Sequence, residues 1–475
     1  MEKVTLKRSL KLWHIVLMGI GYMTPMVVFD TFGIASETTG GHVPTAYILA
    51  LVAMLFTAAS YGKMIQVFPN AGSAYTYTQR TISPHIGFLV GWAALMDYLF
   101  LPMVNALIAQ IYLSATFPGL PAWIWVIGFV AIVTLVNIFS VNFTANFNTM
   151  LVVFQTLIMV VFIGVAIKRL LNGDGTGMLF SIEPFYKEGI NTSALIAGAT
   201  LMCFSYLGFD AVTTLSEETP NPKKTIPRAI FLVALIGGAM FIITSYFIQS
   251  VFPTAAHFKD PEASSPEIAA YMGGLAFQVF FLAGGLAGTL ASGVASHASV
   301  SRLLYVMGRD SVLPNKLFGY IHPRWRTPVA NIVLVGLISV TAVFFDLATA
   351  ASFINFGALI AFTFVNLSVI SYYVVRKKMH KTFKGFFSYL VMPLLGAGAV
   401  AILWANLEKS SLMLGIGWAI VGFIYLLYIT KLFKVKPASI HFEEMEEMHP
   451  SSYIDEEEKS FAVEETGEIN QAKNA

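Results

Sequence analysis

LMCFSYLGFDAVTTLSEETPNPKKTIPRAI, residues 201 to 230, joins an interrupted apolar helix, an acid at membrane depth and a charged exit. The preceding residues, from 194 to 206, suit a bilayer interior, yet Gly208 loosens the backbone in mid-span and Asp210 follows at once. A carboxylate at that depth costs roughly 2.5 to 3.5 kcal/mol even on the gentlest insertion scale. Something must offset that cost. A Gly-Asp irregularity braced by neighbouring helices would be one answer. A broken helix whose half-helix ends face a central binding site would be another, and many secondary transporters use it.

The composition sets the class. Of 475 residues, 56% are hydrophobic and only 12% charged, and the mean hydropathy is +0.70. That balance belongs to a multi-span membrane protein. Repeated apolar runs of roughly 20 residues are helices, because barrel strands would be about half as long and would alternate. The single cysteine, Cys203, excludes an intramolecular disulfide and a Cys-based metal site. There is no HExxH metal motif, no GxxxxGK[ST] nucleotide loop and no paired nucleophile and base, so neither a cofactor nor an enzyme is expected, nor is a nucleic-acid partner.

Working outward, residues 1–11 carry Lys3, Lys7, Arg8 and Lys11 ahead of the first apolar run. That run is too long for a signal peptide and lacks a small-residue cleavage site, so it is expected to remain as the first span. It is interrupted within GIGYMTPMVVFD: Gly19 and Gly21 weaken the helix, Pro25 removes a backbone donor, and Asp30 sits about one turn beyond. Further spans are expected near 46–66, 86–115, 123–139 and 148–167. The opening stretch is the sixth, and six more end near residue 430, about twelve in all. Residues 302–328 are too polar to span and are expected to lie along the membrane surface. Eleven of the 27 acids follow Ile440, so 434–475 is expected to be an acidic, solvated cytoplasmic tail. By count, 24 of the 29 Lys and Arg residues fall on the side of the N-terminus, which places both termini in the cytoplasm.

The two interruptions fall in the first and sixth spans. A spacing of five is what two inverted five-helix repeats produce, here 12–170 and 191–376, followed by two further helices over 387–430. The expected fold is therefore an all-α membrane protein of about twelve transmembrane helices, LeuT-like, with broken first and sixth helices. Asp30, Asp97 and Asp210 lie in apolar surroundings, and no Lys or Arg is expected inside the spans. Acids without fixed bases suit a cationic substrate. Asp210, at the start of the sixth span's second half, gains from the helix dipole and is assigned to a substrate ammonium. Asp97, in mid-helix without that help, is assigned to proton coupling, with His297 as a second participant or a hydrogen-bonded structural histidine. Tyr22, Phe29, Phe204, Tyr206, Phe209 and Tyr98 surround these acids and can hold an alkylammonium over their faces.

FSYLGFDAVTTLSEETPNPKKTIPRAI resembles the sixth-helix signature of the amino acid, polyamine and organocation transporter superfamily. GYMTPMVVFDTFGI, SYGKM, FPNAGSAYTYTQ, GWAALMDYLFLP, LASGVASHASVSRLLYVMGRD and INFGALIAFTFVNLS are similar to the bacterial putrescine importers within it. The resemblance covers about residues 10 to 376 and leaves the tail out. It implies import of putrescine by proton symport across the bacterial cytoplasmic membrane, with sodium as the alternative coupling ion. A cationic amino acid or other polyamine carrier is the alternative function. In amino-acid carriers of the superfamily, a first-helix loop offers backbone amides to the substrate carboxylate. The matching positions here are Met23, Thr24 and Pro25, and proline has no amide hydrogen. The resemblance also implies that Phe204 is a gating aromatic and that Asp30 is an addition suited to a dication, while Glu217 and Glu218, in the charged cytoplasmic exit, are expected to be gate or structural residues and not ligands. Where some lysine-coupled members carry a fifth-helix base, this chain has Gln155.

Overall fold

A computed structural model of the protein describes residues 10–69, 74–139, 145–216, 219–309, 311–325 and 327–437. Every regular element among them is helical. The first span divides into α1 (Leu12–Tyr22), α2 (Val27–Asp30) and α3 (Phe32–Thr39), and Gly40 closes α3 with φ 64°. There follow α4 (Val43–Val67), α5 (Ala74–Thr81), α6 (Pro84–Thr116), α7 (Ala122–Ile138) and α8 (Ala145–Leu171). Pro84 opens α6 beneath a Ser83 cap, and the Asn191 side chain accepts from the amides of Ser193 and Ala194 to open α9 (Thr192–Tyr206). The remainder is α10 (Pro222–Val251), α11 (Ser264–Arg309), α12 (Asn315–Phe318), α13 (Val329–Val340), α14 (Leu347–Val369), α15 (Phe383–Phe386), α16 (Met392–Ala405) and α17 (Lys409–Ile429).

Among the described residues ten helices are long and apolar enough to cross a membrane, and two shorter apolar ones are Ala122–Ile138 and Val329–Phe344. Small residues let the inner helices approach. Gly19 of α1 faces Val212, where an added Cβ would come within 2.7 Å, and Gly62 of α4 lies 3.1 Å on the same measure from Pro227 of α10. Phe29 of α2 stands edge-on to Phe162 of α8 and Phe281 of α11, with ring centroids 4.9 and 4.8 Å apart. At the periphery, Trp92 and Trp418 stack at 4.9 Å and each indole donates to the other's carbonyl, tying α17 to α6.

Two expectations need correction. Residues 302–309 continue α11 as helix and Asn315–Phe318 form α12, so the polar segment is partly helical. The chain also breaks at Gly274 (φ 65°, ψ −163°), which the Gly273-Gly274 pair signals and which separates an outer piece of α11 from its long apolar part. Lys63 lies inside α4, in its last turns, because the helix runs past its apolar stretch; its Nζ donates to the Ser388 carbonyl. The acidic tail beyond residue 437 and both Glu217 and Glu218 lie outside the described residues.

Candidate functional site

The two breaks touch. After α1 the chain turns at Thr24, a non-glycine residue held at φ 51°, and after α9 it turns at Gly208, with φ 99°. Gly208 lies flat against Tyr22: a Cβ there would come within 2.9 Å of Tyr22 Cβ and 3.1 Å of its carbonyl carbon. Beyond Gly208, the sixth span does not resume as an α-helix. It continues as a six-residue 3-10 helix, Ala211–Ser216, opened by the Thr213 amide donating to the Asp210 carbonyl at 2.9 Å. One short turn offers little dipole to Asp210, so the support expected from a second half-helix is replaced by a side chain.

That side chain is Tyr61 of α4. Its hydroxyl donates to Asp210 Oδ2 at 3.0 Å, and its ring stands edge-on to Phe209 at 6.1 Å. Tyr77 of α5 packs on Tyr61 at 6.1 Å, lies within electrostatic reach of Asp210, and has a buried hydroxyl without a partner among the described residues. Asp97 and Tyr98 of α6 are within electrostatic reach of Asp210 as well. Tyr98 is 42% exposed although its neighbours Met96 and Leu99 are buried. Asp210 and Asp97 are both half-buried. Sequence reasoning missed Tyr61 and Tyr77, since their motifs, SYGKM and AYTYTQ, give no sign of which chain segment they meet.

Asp30 forms a second locus on the other side of the first break. It is 6% exposed, and its Oδ1 accepts from Tyr112 of α6 at 2.5 Å and from Ser265 of α11 at 3.1 Å. Ser264 accepts from the Gly33 amide at 3.0 Å, so the outer piece of α11 is fastened to α3 as well. Among the described residues none of the three acids has a Lys, Arg or His within ion-pair distance.

The amides of the first break are already spent. Met23 N–H donates to Gly19 O (3.1 Å), Thr24 to Gly21 O (3.2 Å), Val27 to Thr24 O (3.0 Å), and Met26 to Gln155 Oε1 (3.4 Å). Pro25 has none to offer. Gln155 thus braces the break from α8.

Other expected residues take plainer places. Tyr206 is fully buried with its hydroxyl donating to the Tyr47 carbonyl at 3.0 Å, so it packs and does not face the acids. Phe204 is 7% exposed, beside the break. His297 is buried on α11, 2.9 Å from the Ile332 carbonyl through Nε2, which is the hydrogen-bonded structural arrangement.

The amino acid permease family matches residues 14–413. The chain is 53% identical over 433 residues to the low-affinity putrescine importer PlaP of Escherichia coli K12, covering 91% of this chain and 96% of that protein. It is 28% identical over 456 residues to the methylthioribose transporter of Bacillus subtilis 168 (90% and 94% covered) and 28% identical over 387 residues to the vacuolar cationic amino acid transporter 4 of Arabidopsis thaliana (77% and 63%).

Proposed function

The chain belongs to the amino acid permease family, and we propose that it is a secondary active transporter importing putrescine across the bacterial cytoplasmic membrane. The observation that carries this choice of substrate is the closed set of amides in the first break. An α-amino acid needs donors for its carboxylate, and Met23, Thr24, Met26 and Val27 have all given theirs to internal acceptors while Pro25 has none. A diamine has no carboxylate to place. It needs acceptors and ring faces, and Asp210, Asp97, Tyr61, Tyr77 and Tyr98 supply them. The identity to an E. coli putrescine importer supports the same substrate.

In this mechanism Asp210 receives one ammonium and Tyr61 holds its carboxylate in place. Asp97, which has no hydrogen-bond partner among the described residues, carries the proton of a symport. Asp30 receives or attracts the second ammonium, or seals the outer side through Tyr112 and Ser265 when the site is empty. The close contact of Gly208 with Tyr22 makes the two broken helices move as one body, and alternating access follows from rocking that body against the surrounding helices.

Uptake of labelled putrescine into vesicles of the purified protein tests this, under an imposed pH gradient, with and without sodium. Accumulation driven by the proton gradient, abolished in Asp210→Asn, is the expected result. Absence of accumulation under either gradient would overturn the importer assignment. Stronger competition by arginine, lysine or ornithine than by cadaverine would favour a cationic amino acid carrier instead.

A further inference from the structure

A groove of about 500 Å³ opens on the flank of the bundle, between the first turn of α1, the last turns of α4 and the first turns of α10. Ala58, Ala59, Phe231 and Leu232 form an apolar wall, and Lys63, Gln66 and Arg228 form its polar end. Lys63 is half-buried, donates to the Ser388 carbonyl and sits 5.6 Å from the Tyr389 ring; Arg228 is exposed. Neither cation has a carboxylate within ion-pair distance among the described residues. Among the described residues the groove therefore carries uncompensated positive charge, in contrast to the acidic locus at Asp210 and Asp97.

Two such cations repel a diamine, so this groove is no branch of the transport path. A free inorganic anion would use the charges and leave the apolar wall bare. A phospholipid uses both, with acyl carbons against the wall and the phosphate at Lys63 and Arg228. The setting agrees: Lys11, Lys223 and Lys224 are exposed at the same end of α1 and α10, and Trp13 is 60% exposed there, where a membrane interface favours basic residues and indoles. We propose that this groove binds one anionic phospholipid of the cytoplasmic leaflet, which ties α1 to α4 and α10.

The test is retention of lipid by the purified full-length protein in neutral detergent, measured by native mass spectrometry during titration with phosphatidylglycerol or phosphatidylcholine. This readout is independent of which substrate is carried. One phosphatidylglycerol is expected to be held in preference to phosphatidylcholine. Removing a charge near the membrane surface weakens such binding about five-fold, so Arg228→Gln should show that loss, and Lys63→Gln with Arg228→Gln about 25-fold. Ala59→Trp keeps both charges and fills the groove; it should abolish retention, and it decides the matter if the double variant does not fold. Lys316→Gln, elsewhere on the chain, should change nothing. Equal retention of the two lipids, phosphatidylglycerol binding unaffected by Ala59→Trp, or full displacement by equimolar inorganic phosphate would each overturn the assignment.

Discussion

Substituting Gly208 by alanine attacks the contact on which the coupled breaks depend. Gly208 holds φ 99°, and an L side chain in such a region costs about 1 to 3 kcal/mol. The new methyl would also lie 2.9 Å from Tyr22 Cβ, 3.1 Å from Tyr22 C and 3.2 Å from Tyr22 O. Two of those atoms are backbone and cannot swing aside. Ordinary carbon contacts lie at about 3.5 to 4.0 Å, so the breaks must part by about 0.5 to 1 Å. Overpacking of that kind costs a further 1 to 3 kcal/mol or so, giving about 2 to 6 kcal/mol in total. The lower end alone shifts an equilibrium that needs the two breaks together about thirty-fold. The assay is the initial rate of labelled putrescine uptake in proteoliposomes, normalised to inserted protein, alongside a thermal melt. Gly398→Ala is the comparison, since no atom lies within 4 Å of an added Cβ in that helix, and it should match the wild type or gain about 0.5 to 1 kcal/mol of stability. Wild-type uptake together with an unchanged melt in Gly208→Ala would refute the contact between the breaks.

Tyr77→Phe removes a buried hydroxyl that has no partner among the described residues, so stability should hold or rise; KM for putrescine should rise at least about ten-fold through loss of a hydrogen bond to a charged ammonium, about 1.5 kcal/mol or more. A fall in stability with KM unchanged would contradict its place in the site. Asp97→Asn should leave the protein folded and flatten the pH dependence of uptake; the same profile as the wild type would end its role as proton carrier. His297→Gln should lower stability by about 0.5 to 1.5 kcal/mol through loss of its hydrogen bond to the Ile332 carbonyl and leave the pH profile of uptake where it was. A displaced profile would return His297 to the coupling path.

Much of this protein is local in origin. Apolar run length gave the helices, because a bilayer accepts only segments that satisfy their own backbone. Gly-Pro and Gly-Asp punctuation gave both breaks, because Pro25 lacks a donor and Gly208 alone tolerates its φ. The third break, at Gly274, was missed although a Gly273-Gly274 pair stands there. The acids, too, were conspicuous by their cost among apolar neighbours. What meets each acid was decided only in three dimensions. Tyr61 is 149 residues from Asp210, and Ser265 is 235 from Asp30, distances across which no periodicity or motif carries information. The same applies to losses: Tyr206 turns from the site because the Tyr47 carbonyl, 159 residues away, takes its hydroxyl. The sequence by itself determined where the backbone must break and which charges must be compensated, since those are properties of a few consecutive residues in an apolar solvent. Only the tertiary structure decided the partners that compensate them, and the acceptor on α8 that takes the Met26 amide, since each depends on which distant helix packs alongside.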